Sequence, residues 1–316
     1  MTNGPSVVAA VPLYTTVTVT PDERNHFEVT LASPLSQPTE RVVLTSALRD
    51  LAGDDLDMLQ AAAAVVAERW AVLLGGARLA AVSNIPMGAG VSSSAALTLA
   101  AAGALMRFAD ATVPSAARVA KAAYQAESEL VGTGAGWMDF LACAHGGVCR
   151  IEAGSPPRLV RLADTLGVPL VLIDTQQRRA TATVLASKRE RWQAGDPAMR
   201  DYAASTTEIV SHLASALQQS EPDYRAVGTL MTDAHQQLRD LVRCSTPLID
   251  ECVARCLASG AYGAKLTGSG YGGCLVALAP IEQIGVIHAA LADLPVRVMV
   301  FTTGEPHGLV FPPSDY

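Results

Sequence analysis

The residues best suited to chemistry in this sequence form the run Pro86-Met-Gly-Ala-Gly-Val-Ser-Ser-Ser-Ala-Ala-Leu97. Gly88, Ala89 and Gly90 carry little or no Cβ, so several backbone N–H groups can converge there on one anion. An alanine-rich helical run follows at once, and its N-terminus adds partial positive charge at the same place. The hydroxyls of Ser92, Ser93 and Ser94 offer donors for phosphate or oxygens for Mg²⁺. No G-K-[ST] follows the glycines, so this is not a Walker A loop. The plain alternative is a tight turn that lets strand and helix pack closely, but such a turn does not require three consecutive serines.

A second cluster, Gly268-Ser-Gly-Tyr-Gly-Gly273, formally contains G-x-G-x-x-G. CLVALAP follows it, a strand and not a helix, which rules out a dinucleotide fingerprint. The cluster reads as a second phosphate-side loop, or as backbone packed closely against the first. Two carboxylates also stand out. Glu127 lies near the end of a predicted helix, and Asp139 follows the glycine run GTGAG in GWMDF. Beside a bound triphosphate, a carboxylate can hold Mg²⁺ or accept a hydroxyl proton. Without that ligand, Glu127 reads as a solvated helix residue and Asp139 as a turn or N-cap residue.

The elements that position these residues follow from the hydrophobic pattern. VVAAVPL, TTVTVTP and HFEVTLA read as strands, residues 56–75 as a helix and ARLAAVSN as a strand. A helix is predicted from the serines to about Phe108, and another from about Pro114 to Leu130. PLVLIDT reads as a buried strand, followed by three or four helices between Thr181 and Ser259. A helix near Ile281 to Leu291 and the strand VRVMVFT close the chain. This order predicts an α+β fold of two lobes joined near residues 150–160, with domains at 1–153 and 154–316.

The 316 residues are half hydrophobic and 17% charged, enough for a substantial core. A formal charge of −7 argues against an extended nucleic-acid or anionic-membrane surface. No apolar run reaches the roughly 18 residues of a membrane span. MTNGPSVVAA lacks a basic n-region, so no signal peptide is expected. Six cysteines are scattered without a C-x-x-C pair, and Cys252 and Cys256 read as small buried apolar residues rather than zinc ligands. The expectation is a cytoplasmic, reduced protein with no nucleic-acid or membrane partner.

Three segments together resemble a known family, the GHMP kinases, and within it the galactokinase branch. Pro86 to Ala96 is similar to the family's phosphate-binding loop. AESELVGTGAGWMD, Ala126 to Asp139, resembles the galactokinase segment that carries a metal-binding Glu and a catalytic Asp. LTGSGYGGCLVAL resembles the third motif, and weaker similarity runs through VLIDTQQRRATATVLASKRER and LMTDAHQQLRDLV.

The resemblance implies a two-lobed GHMP kinase fold with ATP and a small-molecule sugar between the lobes, in a monomer or homodimer. It implies that Ser94 and Glu127 hold Mg²⁺. Pro86, Gly88, Ala89, Gly90, Val91, Ser92, Ser93, Ser94 and Ala95 would surround the ATP phosphates. Asp139 would orient or deprotonate the attacking hydroxyl, and Gly136, Trp137, Gly268, Ser269, Gly270 and Tyr271 would face the substrate side. The implied reaction is phosphorylation of a sugar's anomeric hydroxyl. The alternatives are a kinase for a non-sugar alcohol of the mevalonate or homoserine type, or a non-catalytic ligand-sensing regulator.

The chain departs from galactokinases in one respect. Their first motif, G-R-x-N-[LI]-[IL]-G-E-H-x-D-Y, has no counterpart before Asn3-Gly-Pro. The arginine that would partner the catalytic Asp, and the sugar-gripping Glu, His and Asp, are therefore missing. The expectation is that the native chain starts upstream of Met1. Failing that, Arg178 or Arg179 are the nearest substitutes for the arginine. Trp137, in place of a smaller aliphatic residue, implies a bulkier or differently shaped sugar. The alanine-rich composition points to a GC-rich bacterial genome, where such kinases also serve antibiotic-sugar pathways, including an octose 1-kinase.

Overall fold

Alternating burial builds the first sheet. In Gly76–Ser83 (β5), Ala77, Leu79, Ala81 and Ser83 turn inward while Arg78, Ala80 and Val82 turn out, the period of two a half-buried strand requires. The computed structural model describes residues 4–34, 36–70, 75–110, 112–154, 157–177, 181–301 and 308–311. The chain forms two compact units, interleaved along the sequence.

One unit comprises Leu13–Met87, Ser92–Gly146 and His307–Tyr316. Its four-stranded sheet has the order β2-β5-β3-β4, where β2 is Thr15–Pro21, β3 is His26–Ser33 and β4 is Ser36–Leu44. β3 and β5 run parallel and the other pairs antiparallel. Helices α1 (Asp57–Ala67) and α2 (Ser93–Ala109) belong to this unit. The buried alanines of α1 and α2, such as Ala61–Ala64, Ala101 and Ala102, let the two backbones approach. α3 (Ala116–Tyr124) runs into a wide π turn, Gln125–Val131, and α4 spans Trp137–His145.

The other unit comprises Met1–Pro12, Gly88–Val91 and Gly147–Pro306. It holds an antiparallel sheet of order β1-β6-β7, from Ser6–Ala9 (β1), Val148–Glu152 (β6) and Arg158–Ala163 (β7). A second antiparallel sheet has the order β11-β8-β10-β9. There β8 is Leu170–Asp174, buried throughout, β9 Gly263–Leu266, β10 Cys274–Leu278 and β11 Arg297–Phe301. Helices α5 (Thr181–Gln193), α6 (Pro197–Leu217), α7 (Tyr224–Gln237), α8 (Pro247–Ala258) and α9 (Ile284–Ala290) complete it. Where α7 crosses β9, Gly228 and Gly263 touch backbone to backbone; a Cβ on Gly263 would lie 1.8 Å from the Gly228 carbonyl oxygen.

The α+β class is the one the sequence predicts. β4, α4, β6 and β7 are not legible in the hydrophobic pattern, and α1 is shorter than the predicted 56–75. None of the six cysteines is in a disulfide, and Cys252 and Cys256 are fully buried core residues. Among the described residues no helix is long and apolar enough to cross a membrane.

Candidate active site

The glycine half of the loop belongs to the unit that carries the 267–273 turn, and there the two backbones are in contact. A Cβ on Gly268 would lie 2.5 Å from the Gly90 Cα, and one on Gly273 would lie 2.7 Å from the Ala89 carbonyl oxygen. Gly88, Gly90, Gly268, Gly270 and Gly273 all have left-handed φ, between +64° and +84°. The Ala89 carbonyl accepts from the Cys274 N–H at 2.9 Å, tying the loop to the start of β10. Ala89 is itself fully buried, so its part is packing.

These backbones enclose a shallow polar notch lined by Gly88–Gly90 and residues of the 267–273 turn. Among the described residues, the N–H groups of Gly88, Gly90, Ser269, Gly270 and Gly272 have no acceptor. Others of the turn's polar groups are used internally. Tyr271 N–H donates to the Cys244 carbonyl at 2.6 Å, and Gly273 N–H to the Gln177 carbonyl at 2.8 Å. Thr175 donates to the Gly273 carbonyl from both its N–H and its hydroxyl, at 3.0 and 2.7 Å. Free donors gathered on glycine backbone with the acceptors turned away make an anion-binding concavity. The Tyr271 ring packs against the buried cluster around Ile249, Leu266 and Leu275.

The serine half belongs to the other unit; the chain passes between units from Val91 to Ser92. Ser92 stands at the N-cap of α2 with φ +62°, a left-handed conformation uncommon outside glycine and characteristic of functional sites. A serine at this position ordinarily caps the helix. Here its side chain caps nothing; its Oγ donates instead to Asp139 Oδ1 at 2.7 Å. The first N–H groups of α2 are thereby left for another acceptor. Two residues on, Ser94 Oγ donates to Glu127 Oε1 at 2.8 Å. Thr98 Oγ1 donates to the Ser94 carbonyl at 2.9 Å and lies 3.5 Å from Glu127 Oε2. Ser93 and Ala95, the alternate positions, are buried.

Glu127 is not a solvated helix residue: it is 2% exposed, and it sits on the π turn after α3. Such turns recur at functional sites, where the extra residue re-aims a side chain. Asp139 lies in the first turn of α4 and is half-buried. Desolvation raises the pKa of both carboxyls. For Glu127 the Ser94 hydrogen bond opposes the rise and the neighbouring Asp139 charge adds to it; for Asp139 only the Ser92 hydrogen bond opposes it. Among the described residues no basic side chain pairs with either carboxylate. Arg178 and Arg179 lie outside the described residues.

The Trp137 ring stacks on Tyr124 with centroids 4.1 Å apart and planes 10° apart, so one of its faces is covered. Gly136 is exposed at the start of α4. Sequence reasoning missed two neighbours of these groups. Cys143, one helical turn after Asp139, is pushed up to about 12 by burial and by the two carboxylates, so it stays a thiol. Lys188 is buried, and its Nζ donates to the Ser269 carbonyl at 2.5 Å. The only sequence signal for Lys188 is a charge in the run SKRER, indistinguishable there from a solvated helix face.

Residues 44–147 match the GHMP kinases N terminal domain, and residues 213–293 match the GHMP kinases C terminal. The chain belongs to the GHMP kinases. Solved structures agree in fold across nearly the whole chain. L. major mevalonate kinase in complex with R-mevalonate is 23% identical, covers 97% of this chain and 91% of its own, and has a TM-score of 0.76. Lactococcus lactis galactokinase complexed with galactose is 18% identical, with 97% and 89% covered and a TM-score of 0.77. Streptococcus pneumoniae phosphomevalonate kinase in complex with phosphomevalonate and AMPPNP is 14% identical, with 95% and 93% covered and a TM-score of 0.74. This GHMP kinase is thus as similar in fold to sugar kinases as to mevalonate-type kinases.

Proposed function

We propose that this kinase transfers the γ-phosphoryl group of ATP to the anomeric hydroxyl of a sugar. The observation that carries the reading is the pair of contacts made by one serine run, Ser92 to Asp139 and Ser94 to Glu127. The run thus sets two carboxylates beside the start of α2, one at Ser92 and one at Ser94. Glu127 and Ser94 offer hard oxygen ligands and fit Mg²⁺. That ion, when bound, neutralises phosphate charge and lowers the electrostatic cost of transfer. The free N–H groups of Gly88, Gly90 and the 269–272 turn suit phosphate oxygens.

Asp139 takes the proton of the acceptor hydroxyl as that oxygen attacks the γ-phosphorus. The bond from γ-phosphorus to the β–γ bridging oxygen breaks, and ADP leaves. Ser92 holds Asp139 by donating to one carboxylate oxygen, which leaves the other free to accept. Among the described residues no cation lies beside Asp139, whose orientation there comes from this hydroxyl. The Met138-Asp139 pair and the triple serine support the galactokinase branch, and the size of Trp137 supports a sugar bulkier than galactose or differently shaped, such as the longer sugars of antibiotic pathways. The AMPPNP complex of the similar phosphomevalonate kinase and the galactose complex of the similar galactokinase support an ATP analogue and a sugar as probes. A non-sugar alcohol is the second reading, favoured by the equal likeness to mevalonate kinase. The test is ³¹P NMR of the product: a phosphate coupled to the anomeric proton supports the sugar 1-kinase, and a phosphate on mevalonate or homoserine supports the second reading.

A further inference from the structure

Lys188, on α5, is a buried cation. It is 5% exposed, and among the described residues no carboxylate lies within ion-pair distance of it. Its neighbours are the Ser269 carbonyl, which it grips at 2.5 Å, and the Cys244 thiol, kept protonated by burial. A buried ammonium is expensive and persists only where its charge is used or compensated.

What it grips gives the use. The peptide joining Ser269 to Gly270 is planar and, like nearly all such bonds, trans, so its C=O and N–H point in opposite directions. Lys188 holds the carbonyl end. The other end is the Gly270 N–H, which has no acceptor among the described residues, on a residue that lines the polar notch. The peptide cannot easily rotate. Gly270 has φ +84°, and a Cβ there would lie 2.4 Å from the Cys244 carbonyl oxygen. Tyr271 N–H, bonded to that same carbonyl, fixes the next peptide.

We infer that Lys188 is a positioning residue for phosphate: it polarises the 269–270 peptide and aims the Gly270 N–H into the notch. Hydrogen bonds in series strengthen one another, and a charged donor at one end makes the far N–H a stronger donor. The ammonium thereby acts on an anion it does not touch, much as preorganised dipoles act on developing charge. The inference rests on the reading that the notch receives phosphate.

The experiment uses the full chain labelled with ¹⁵N-glycine. In the wild type, the Gly270 amide should move downfield as Mg²⁺ and ATP are added, and should barely move with adenosine. Lys188→Met keeps length and removes charge; it should weaken ATP binding about tenfold by calorimetry while leaving adenosine binding unchanged. It should also shift the unliganded Gly270 amide upfield, and Lys188→Arg should restore most of the ATP affinity. If the folded Met variant binds ATP as the wild type does, or loses ATP and adenosine affinity together, the inference is overturned. Should that variant not fold, an unmoved wild-type Gly270 amide under saturating ATP overturns it alone. A wild type that binds no ATP removes the phosphate reading itself, a separate result from ATP binding that bypasses Gly270.

Discussion

The glycine turn at 267–273 and the serine run at 92–94 are made of different materials. The turn is backbone against backbone: Gly90 on Gly268, Ala89 on Gly273 and Cys274, Cys244 on Tyr271. The serine run is side chain against side chain: two hydroxyls, each on one carboxylate. A region held by backbone has no spare volume, so substitution there strikes folding first. A region held by hydroxyl–carboxylate contacts can lose a functional group and keep its shape, so substitution there strikes turnover first.

Asp139→Asn gives the largest effect on the side-chain side. A positioned base contributes about 10²- to 10⁴-fold, so kcat should fall by that much while calorimetric ATP affinity is kept. Unchanged kcat would remove Asp139 from the chemistry. Glu127→Gln keeps the hydroxyl contacts but loses the charge. Its apparent Mg²⁺ affinity in turnover should drop by at least about 10- to 100-fold, the range typical of disturbing groups around a metal. An unaltered Mg²⁺ titration would return Glu127 to a structural role.

On the backbone side, Gly268→Ala puts a Cβ 2.5 Å from the Gly90 Cα at a left-handed φ of +76°. Overpacking and the left-handed penalty together should cost about 2–4 kcal/mol in urea unfolding. A neutral Gly268→Ala would break the contrast between the two regions. Gly90→Val belongs with it: a Cβ there meets Gly268 Cα at 3.0 Å, so folding stability and nucleotide affinity should fall together.

Ser92 tests the boundary between the two regions. Ser92→Gly keeps the left-handed backbone and removes the hydroxyl, so kcat should fall about tenfold, the worth of one strong hydrogen bond, with little loss of stability. Ser92→Ala loses the same hydroxyl and adds strain, so it should match the glycine variant in kcat and melt lower. Equal melting of the two would mean the left-handed conformation is not strained.

The smallest effect is on pH. Both carboxyls have raised pKa values in the folded chain. The folded state therefore holds protons that the unfolded chain releases near pH 3.9–4.3, and stability falls as pH rises from there through the raised folded values. On the proposed assignment Mg²⁺ binds the ionised Glu127, so its stabilising effect on the melting temperature should be larger at pH 7.5 than at pH 5. A Mg²⁺ effect that is flat with pH would contradict the assignment.

How much of this was legible in the sequence depends on what signal each residue leaves. Strands with clean alternation, such as β2, β3 and β5, were readable. β4, SQPTERVVL, was not, because an edge strand tolerates a proline and a polar face. α4, WMDFLACAH, is too short to show a helical period, so Asp139 read as a turn residue. Glu127 stands out as a candidate ligand only through family resemblance; its burial depends on a π turn that periodicity does not reveal. The glycine-on-glycine contact matched one of the two readings given for GSGYGG. Lys188 left only a charge in the run SKRER, because its partner is a carbonyl far away in sequence.

The most direct test of the central claim is a coupled ADP-release assay of the wild type and Asp139→Asn, run with Mg²⁺ and ATP over hexoses, heptoses, octoses, mevalonate and homoserine. The account predicts sugar-dependent ADP release by the wild type that falls by about 10²-fold or more in the variant. ADP release dependent only on mevalonate or homoserine, or release from a sugar that Asp139→Asn leaves intact, would contradict it.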